Sequence, residues 1–465
     1  MSRRTGVSLL EGWLPITIQA LAAVLLVLVA LWLVRRARSR RVVVTVGVAV
    51  LAAAVAVVGT WWSLRDQDLQ ADPPPVGLWV WAGVVAVALV LLVAGIVRRG
   101  WWRRGAALVA LLLAVVSVGV QANEWVGYFP TVAEAYAQLT AAPLPDEAPP
   151  GSLDAMRATP RTTGVVVPIT TPDDVSHFAH RTEYVYLPPA WFGLHPATLP
   201  ALMMIGGEFA TPSDWIRTGD AVTTADAFAR THGGLAPILV FADSTGSFRN
   251  DSECVDGPRG NAATHLVDEL RPYVVSHFGA GASPAQWGVV GWSTGGTCAV
   301  DLGVTRPDAF SAFEDIQGDL APNAGGAQQT LTELYGGNAA AMAAFDPTTV
   351  LAHHAPYADS AGWFADNPST RLATKPGRHP ATADDPRAGM GGHSDPAPAA
   401  MQGQQATEAQ TLCAEATARG ITCSVHISPG KHTWQFAHAA FAAALPWLAQ
   451  RLGLPPAVGA PTVRS

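Results

Sequence analysis

Charge is scarce in this sequence. Only 14% of its 465 residues are Asp, Glu, Lys or Arg, where soluble domains carry roughly 25%. Lysine is nearly absent, with Lys375 and Lys431 the two copies. No basic excess exists either: the formal net charge is −7, which leaves no electrostatic footprint for nucleic acid. Cysteine is confined to four positions, Cys254, Cys298, Cys413 and Cys423. The 13 histidines show no metal-ligand spacing, so the sequence predicts no metal site and no other cofactor.

The missing charge is concentrated at the front. Four apolar runs cover residues 13–34, 42–62, 77–97 and 105–121, and none has a charge in its interior. Each is near the ~20 residues that cross a bilayer, and none has the polar face of a buried helix in a soluble domain. A cleaved signal peptide does not fit the first run, which is long and ends in Arg35-Arg36 where a small-residue cleavage site belongs. The loop after run one holds five arginines between Arg35 and Arg41, and the loop after run three holds Arg98, Arg99, Arg103 and Arg104. The middle loop has Arg65 against Asp66, Asp68 and Asp72. The positive-inside bias puts the two arginine loops in the cytoplasm and both termini outside, with Arg3-Arg4 a weaker opposing signal. Intramembrane acids or histidines, the usual marks of a conduction path, are missing from the runs, so they read as an anchor.

The four cysteines fit an outside location, where an even count suggests two disulfides. Three pairings are open. Cys413, on an expected helix, and Cys423, on the next expected strand, form the most local pair, which leaves Cys254 with Cys298.

Residues 141–161, rich in Pro, Ala and acidic side chains, read as a linker. Expected strands follow at 164–169, 183–187, 201–205, 236–242, 287–290, 312–316, 362–365 and 422–427, with helices at 221–231, 266–278, 404–419 and 433–452. Strands that alternate with helices and are mostly apolar throughout predict an α/β fold with a mainly parallel sheet covered on both faces.

The chemistry centres on Val289-Val290-Gly291-Trp292-Ser293-Thr294-Gly295-Gly296. A serine on a sharp strand-to-helix turn is lifted toward a base, glycines on either side remove clashing Cβ atoms, and the helix start presents N–H groups to an oxyanion. The base belongs after the last strand, where His432 stands in Gly430-Lys431-His432-Thr433-Trp434. The acid belongs between residue 365 and the helix near 404, a window holding Asp366, Asp384, Asp385 and Asp395; Asp395 is the first choice and Asp366 the alternative. Oxyanion donors are expected from the N–H of Thr294 and from the Gly206-Gly207-Glu208 loop, with Glu208 first and Gly207 second.

These segments resemble the esterase D-like family of α/β-hydrolases, relatives of which include the secreted mycolyltransferases. Met204–Glu208 is similar to its oxyanion loop, 287–298 to its serine elbow, Thr305-Arg306-Pro307-Asp308-Ala309-Phe310-Ser311 to its Pro-x-x-Phe stretch, and 430–434 to its Gly-x-His-x-Trp signature. The resemblance implies Ser293 as nucleophile, His432 as general base, and Thr294 and Glu208 as oxyanion donors. A Pro/Gly-rich insertion at 368–400 interrupts the family's acid turn, the Glu that serves as acid in the mycolyltransferase branch has no counterpart in the window, and four spans are an addition to the family plan. The expected layout is a four-span domain at 1–125, an extracytoplasmic linker at 126–163, the hydrolase domain at 164–455 and a disordered tail at 456–465. The expected function is a membrane-anchored extracytoplasmic serine esterase taking a small-molecule or lipid ester, with membrane lipid as its other partner. The alternatives are an acyltransferase acting on envelope lipids and a catalytically inert binding module.

Overall fold

The computed structural model describes residues 6–35, 39–66, 74–96, 101–140, 142–193, 198–368 and 405–457. Asp384, Asp385, Asp395 and the tail from residue 458 lie outside them.

Four helices open the chain: α1 (Trp13–Arg35), α2 (Ser39–Asp66), α3 (Val76–Ile96) and α4 (Trp101–Val126). The shortest has 21 residues, about 32 Å at 1.5 Å per residue, enough for a ~30 Å hydrocarbon layer. All four are long and apolar enough to cross a membrane. α3 packs between α2 and α4, and α1 packs on α4. The outer faces carry bare Val and Leu, with Val43 70% and Leu51 66% exposed, surface that water would penalise and lipid would cover.

The stretch expected as a linker is tied down along much of its length. Thr131 and Glu134 cap α5 (Val132–Leu139) reciprocally. Leu144 and Ala148 are buried in the main core, and Glu147 bridges Val166. Two well-placed apolar residues suffice to dock a segment whose composition otherwise looks like a spacer.

Eight strands then form one sheet: β1 (Val165–Ile169), β2 (Glu183–Leu187), β3 (Ala201–Ile205), β4 (Ile238–Ala242), β5 (Trp287–Trp292), β6 (Ala312–Ile316), β7 (Ala361–Asp366) and β8 (Thr422–Ile427). Their order is β1-β2-β4-β3-β5-β6-β7-β8. β2 runs antiparallel to both neighbours, and every other pairing is parallel. β3, β4, β5 and β6 are buried at every residue; the first three are continuous apolar runs, as central strands of an α/β sheet should be, while β6 also buries Glu314 and Asp315. The helices over it include α6 (Ala221–Thr231), α7 (Arg271–Phe278), α8 (Thr294–Thr305), α9 (Gln405–Ala418) and α10 (Trp434–Arg451). The helix expected from 266 differs at its start: His265–Leu270 is π-helical, and Pro272 just after it has no N–H to give the turn below. This is an α/β-hydrolase fold preceded by four apolar helices.

Both disulfides follow the local pairing. Cys254 joins Cys298 on α8, and Cys413 on α9 joins Cys423 on β8, with Cα atoms 5.5 and 5.6 Å apart.

Candidate active site

β5 ends at Trp292, α8 begins at Thr294, and Ser293 makes the whole turn between them. Its φ of 60° and ψ of −127° lie where a side chain is strained by about 1–3 kcal/mol. The neighbours show why the flanking positions are glycine. A Cβ on Gly291 would stand 1.6 Å from the Gly295 carbonyl oxygen, and one on Gly295 would stand 2.5 Å from the carbonyl oxygens of both Ile205 and Gly206. The Ser293 N–H donates to Ile316 O at 2.9 Å, locking the turn to β6. Ser293 itself is half-buried and reachable. Thr294 is the first residue of α8, where N–H groups have no partner within the helix.

The loop after β3 meets this turn. A Cβ on Gly207 would come within 2.9 Å of Ser293 Cβ and 3.5 Å of Ser293 Oγ. The Ala210 N–H closes the loop onto Gly207 O at 3.1 Å, and the Trp215 indole N–H donates to Ile205 O at 2.9 Å. Gly207 and Glu208 therefore belong to a rigid loop beside the serine.

His432 lies on the connection from β8 to α10, at the centre of a tight turn closed by Thr433 N–H to Lys431 O at 2.9 Å. Aromatic packing holds it. Its ring centroid is 5.2 Å from that of Trp292, and Trp434, 1% exposed, lies 4.5 Å from the same indole. Gly430 is required because a Cβ there would meet Phe436 at 2.3 Å.

Asp366 ends β7, 1% exposed, in register with Ile427 of β8. Its carbonyl accepts from Ser428 N–H at 2.9 Å, and the Asn367 amide donates to Gly430 O at 3.2 Å, so the end of β7 is tied to the loop that carries His432. Ser293, Gly207, Glu208 and His432 thus follow the carboxyl ends of strands and Asp366 is itself such an end, on the rim where α/β sheets place their ligands. Asp395 falls outside the described residues. Asp315, at the end of β6, was not singled out by its sequence context. Burial pushes its carboxyl well above the ordinary range, and the nearby charge of Asp366 adds to this. Its Oδ1 accepts from Gly318 N–H at 2.8 Å and sits where a Cβ on Gly296 would be.

Among the described residues, one group of metal-capable side chains converges: His180, Glu183 and His265, with ligand atoms within 4.8 Å of one another. Sequence spacing misses it because 82 residues separate Glu183 from His265. The two imidazoles are stacked with centroids 4.3 Å apart and planes 23° apart, so their in-plane lone pairs do not aim at one point. The nitrogens are engaged already. His265 contacts Glu269 at 2.9 Å and Glu183 at 3.3 Å, and His180 contacts the carbonyls of Arg181 and Thr171, both at 2.9 Å. The arrangement is a buried charged network joining β2 to the π-helical turn.

Residues 179–448 match the family described as putative esterase. An uncharacterized protein of Corynebacterium glutamicum is 31% identical over 315 residues, covering 65% of this chain and 71% of that protein. Among solved structures, an S-formylglutathione hydrolase from Agrobacterium tumefaciens is 16% identical, covers 63% of this chain and 97% of its own, and has a TM-score of 0.47. A ferulic acid esterase is 16% identical with a TM-score of 0.44, covering 62% of this chain and 99% of its own. Mycobacterium tuberculosis MPT51 (FbpC1) is 19% identical with a TM-score of 0.38, covering 62% and 99%. With more than half of its length inside the family match, the chain belongs to the esterase family.

Proposed function

We propose that the protein is a membrane-anchored serine esterase whose catalytic domain, residues 164–455, works outside the cytoplasm. The observation that carries the reading is the left-handed elbow at Ser293, pressed against Gly207 and half-open to solvent. Ser293 Oγ attacks an ester carbonyl while His432 takes its proton. The N–H groups of Thr294 and Glu208, with Gly207 the alternative, hold the oxyanion. His432 returns the proton to the leaving alcohol, an acyl-enzyme forms on Ser293, and water releases the acid. Asp366 is the acid that orients the imidazole: it ends the strand beside the histidine's own strand.

Location rests on two features that agree: arginine-rich stretches after the first and third apolar runs of the sequence and two disulfides in the domain that follows the fourth. An anchored catalytic rim favours an ester of a lipid or another envelope component as substrate. The test is kinetic. Purified full-length Ser293→Ala should lose turnover of p-nitrophenyl esters and all fluorophosphonate labelling. Turnover equal to that of the unaltered chain would retire the assignment.

A further inference from the structure

The chain leaving α4 does more than connect. Gly127, immediately after the helix, is buried against the end of the histidine loop and the first turn of α10: its carbonyl accepts from the Gln435 amide at 2.8 Å, and a Cβ on it would lie 3.1 Å from Thr433 Cβ. Lys431 in the same loop lies within electrostatic reach of Glu124 in the last turn of α4. The next residue, Tyr128, turns to the opposite wall of the site. Its hydroxyl donates to Asp214 Oδ2 at 2.7 Å, and Gln138 of α5 donates to Asp214 Oδ1 at 2.9 Å. Asp214 is fully buried. The same Oδ2 accepts from Thr211 N–H at 2.6 Å, one residue beyond Ala210, which closes the loop onto Gly207. The Tyr128 carbonyl adds a bond from Thr218 Oγ1 at 3.2 Å. Two consecutive backbone positions therefore touch the His432 loop and the segment that braces the oxyanion loop.

We infer that Gly127 and Tyr128 form a clamp by which the outer end of α4 fixes the spacing of the two walls of the active site. Tyr128 and Gln435 are then positioning residues that act through Asp214 and the His432 loop without touching substrate. The inference rests on the assignment of Ser293 and His432 above. Its chemistry is simple. An imidazole must stay within hydrogen-bond reach of the serine while the oxyanion donors stay near 3 Å from the reacting oxygen, and displacements of about 1 Å cost roughly 100-fold in rate. Burial, with Asp214's charge adding to it, pushes the Tyr128 phenol far above its ordinary range, so its O–H remains a donor across the working pH range.

The experiment uses the full chain in lipid nanodiscs, with the rate of fluorophosphonate labelling of Ser293 measured from pH 5 to 9. Tyr128→Phe removes one hydroxyl and keeps the ring; Gln435→Leu removes the amide and keeps the bulk. Each should slow labelling about tenfold, and Gln435→Leu should also move the acid limb of the pH–rate profile, because it frees the histidine loop. The double variant should label about as slowly as the slower single, since either change opens one clamp. Val166→Ala, in the far edge strand β1, is the stability control and should label at the unaltered rate despite a lower melting temperature. Singles within twofold of the unaltered chain would overturn the clamp, as would single losses that multiply in the double or that Val166→Ala reproduces. A full-length chain whose Ser293 takes no probe would instead overturn the nucleophile assignment, and the clamp with it.

Discussion

Gly207 and Ser293 approach so closely that a methyl group on the glycine would lie 2.9 Å from the serine Cβ and 3.2 Å from the Trp292 carbonyl oxygen. Backbone on one side and the strained turn on the other leave that methyl nowhere to go. Gly207→Ala should therefore push the loop outward and carry the N–H groups of residues 207 and 208 away from the oxyanion. Loss of one such donor costs about 10²–10³ in turnover, so kcat for a p-nitrophenyl ester should fall about 100-fold with KM nearly unchanged. Turnover within threefold of the unaltered enzyme would show that the loop supplies no donor.

The acid can be tested by separating two candidates. Asp366 stands at the end of β7 in register with Ile427, five residues before the histidine, while Asp395 belongs to the long insertion. Asp366→Asn should cost about 10⁴ in kcat, the size expected when an imidazole is left in the wrong tautomer. Asp395→Asn should leave kcat within twofold. The reverse pattern, read from the same ester assay, would return the role to Asp395.

The contrast between those two aspartates shows what a sequence can and cannot reveal here. The serine turn was legible because its requirements are local: Gly291, Ser293 and Gly295 lie within five residues and sterics dictates each. The four long apolar helices were legible because length and apolarity suffice to mark them, and the Cys413–Cys423 pair because ten residues separate its partners. The acid stayed divided between Asp395 and Asp366, since its place depends on which strand ends beside β8, a property of sheet register that an insertion in the chain hides. Leu144 and Ala148 were lost in a Pro-rich stretch for a similar reason: docking depends on a surface made by residues far along the chain. The same is true of His265, an unremarkable helical histidine until β2 supplies Glu183.

The disulfides offer a stability test. Cys254–Cys298 spans 44 residues and Cys413–Cys423 spans 10. Loop-closure entropy then predicts losses of about 4 kcal/mol for Cys254→Ser and about 3 kcal/mol for Cys413→Ser. Cys298 sits on α8 little more than one turn past Ser293, so Cys254→Ser should also slow probe labelling, whereas Cys413→Ser should not. Chemical denaturation with the labelling assay checks both; equal labelling by the two variants would separate the α8 crosslink from the serine's geometry.

The network around His265 predicts a pH dependence with two limbs. His265 and Glu183 are fully buried, and Glu269 also accepts from the Val175 and Ser176 N–H groups and the Ser176 hydroxyl. Burial alone would lower the His265 pKa, but hydrogen bonds and charge from Glu183 and Glu269 outweigh it and hold the imidazole above its ordinary value. For Glu269, burial is outweighed by the donors from Ser176, His265 and Val175, and its pKa falls to about 2. A raised histidine stabilises the fold fully below its unfolded pKa, and that contribution is lost as pH climbs through the folded value. A lowered carboxyl stabilises above its unfolded value of 4.5, and that contribution is lost as pH drops toward 2. Stability should therefore peak between about 4.5 and 6.5 from this network and decline on both sides. Glu269→Gln breaks a buried pair and should cost about 3 kcal/mol at pH 5.5. It should also flatten the acid limb between pH 4.5 and 2, because the group that titrates there is gone. Denaturation midpoints measured across that range decide the matter: an acid limb as steep in Glu269→Gln as in the unaltered chain would place the titrating group elsewhere.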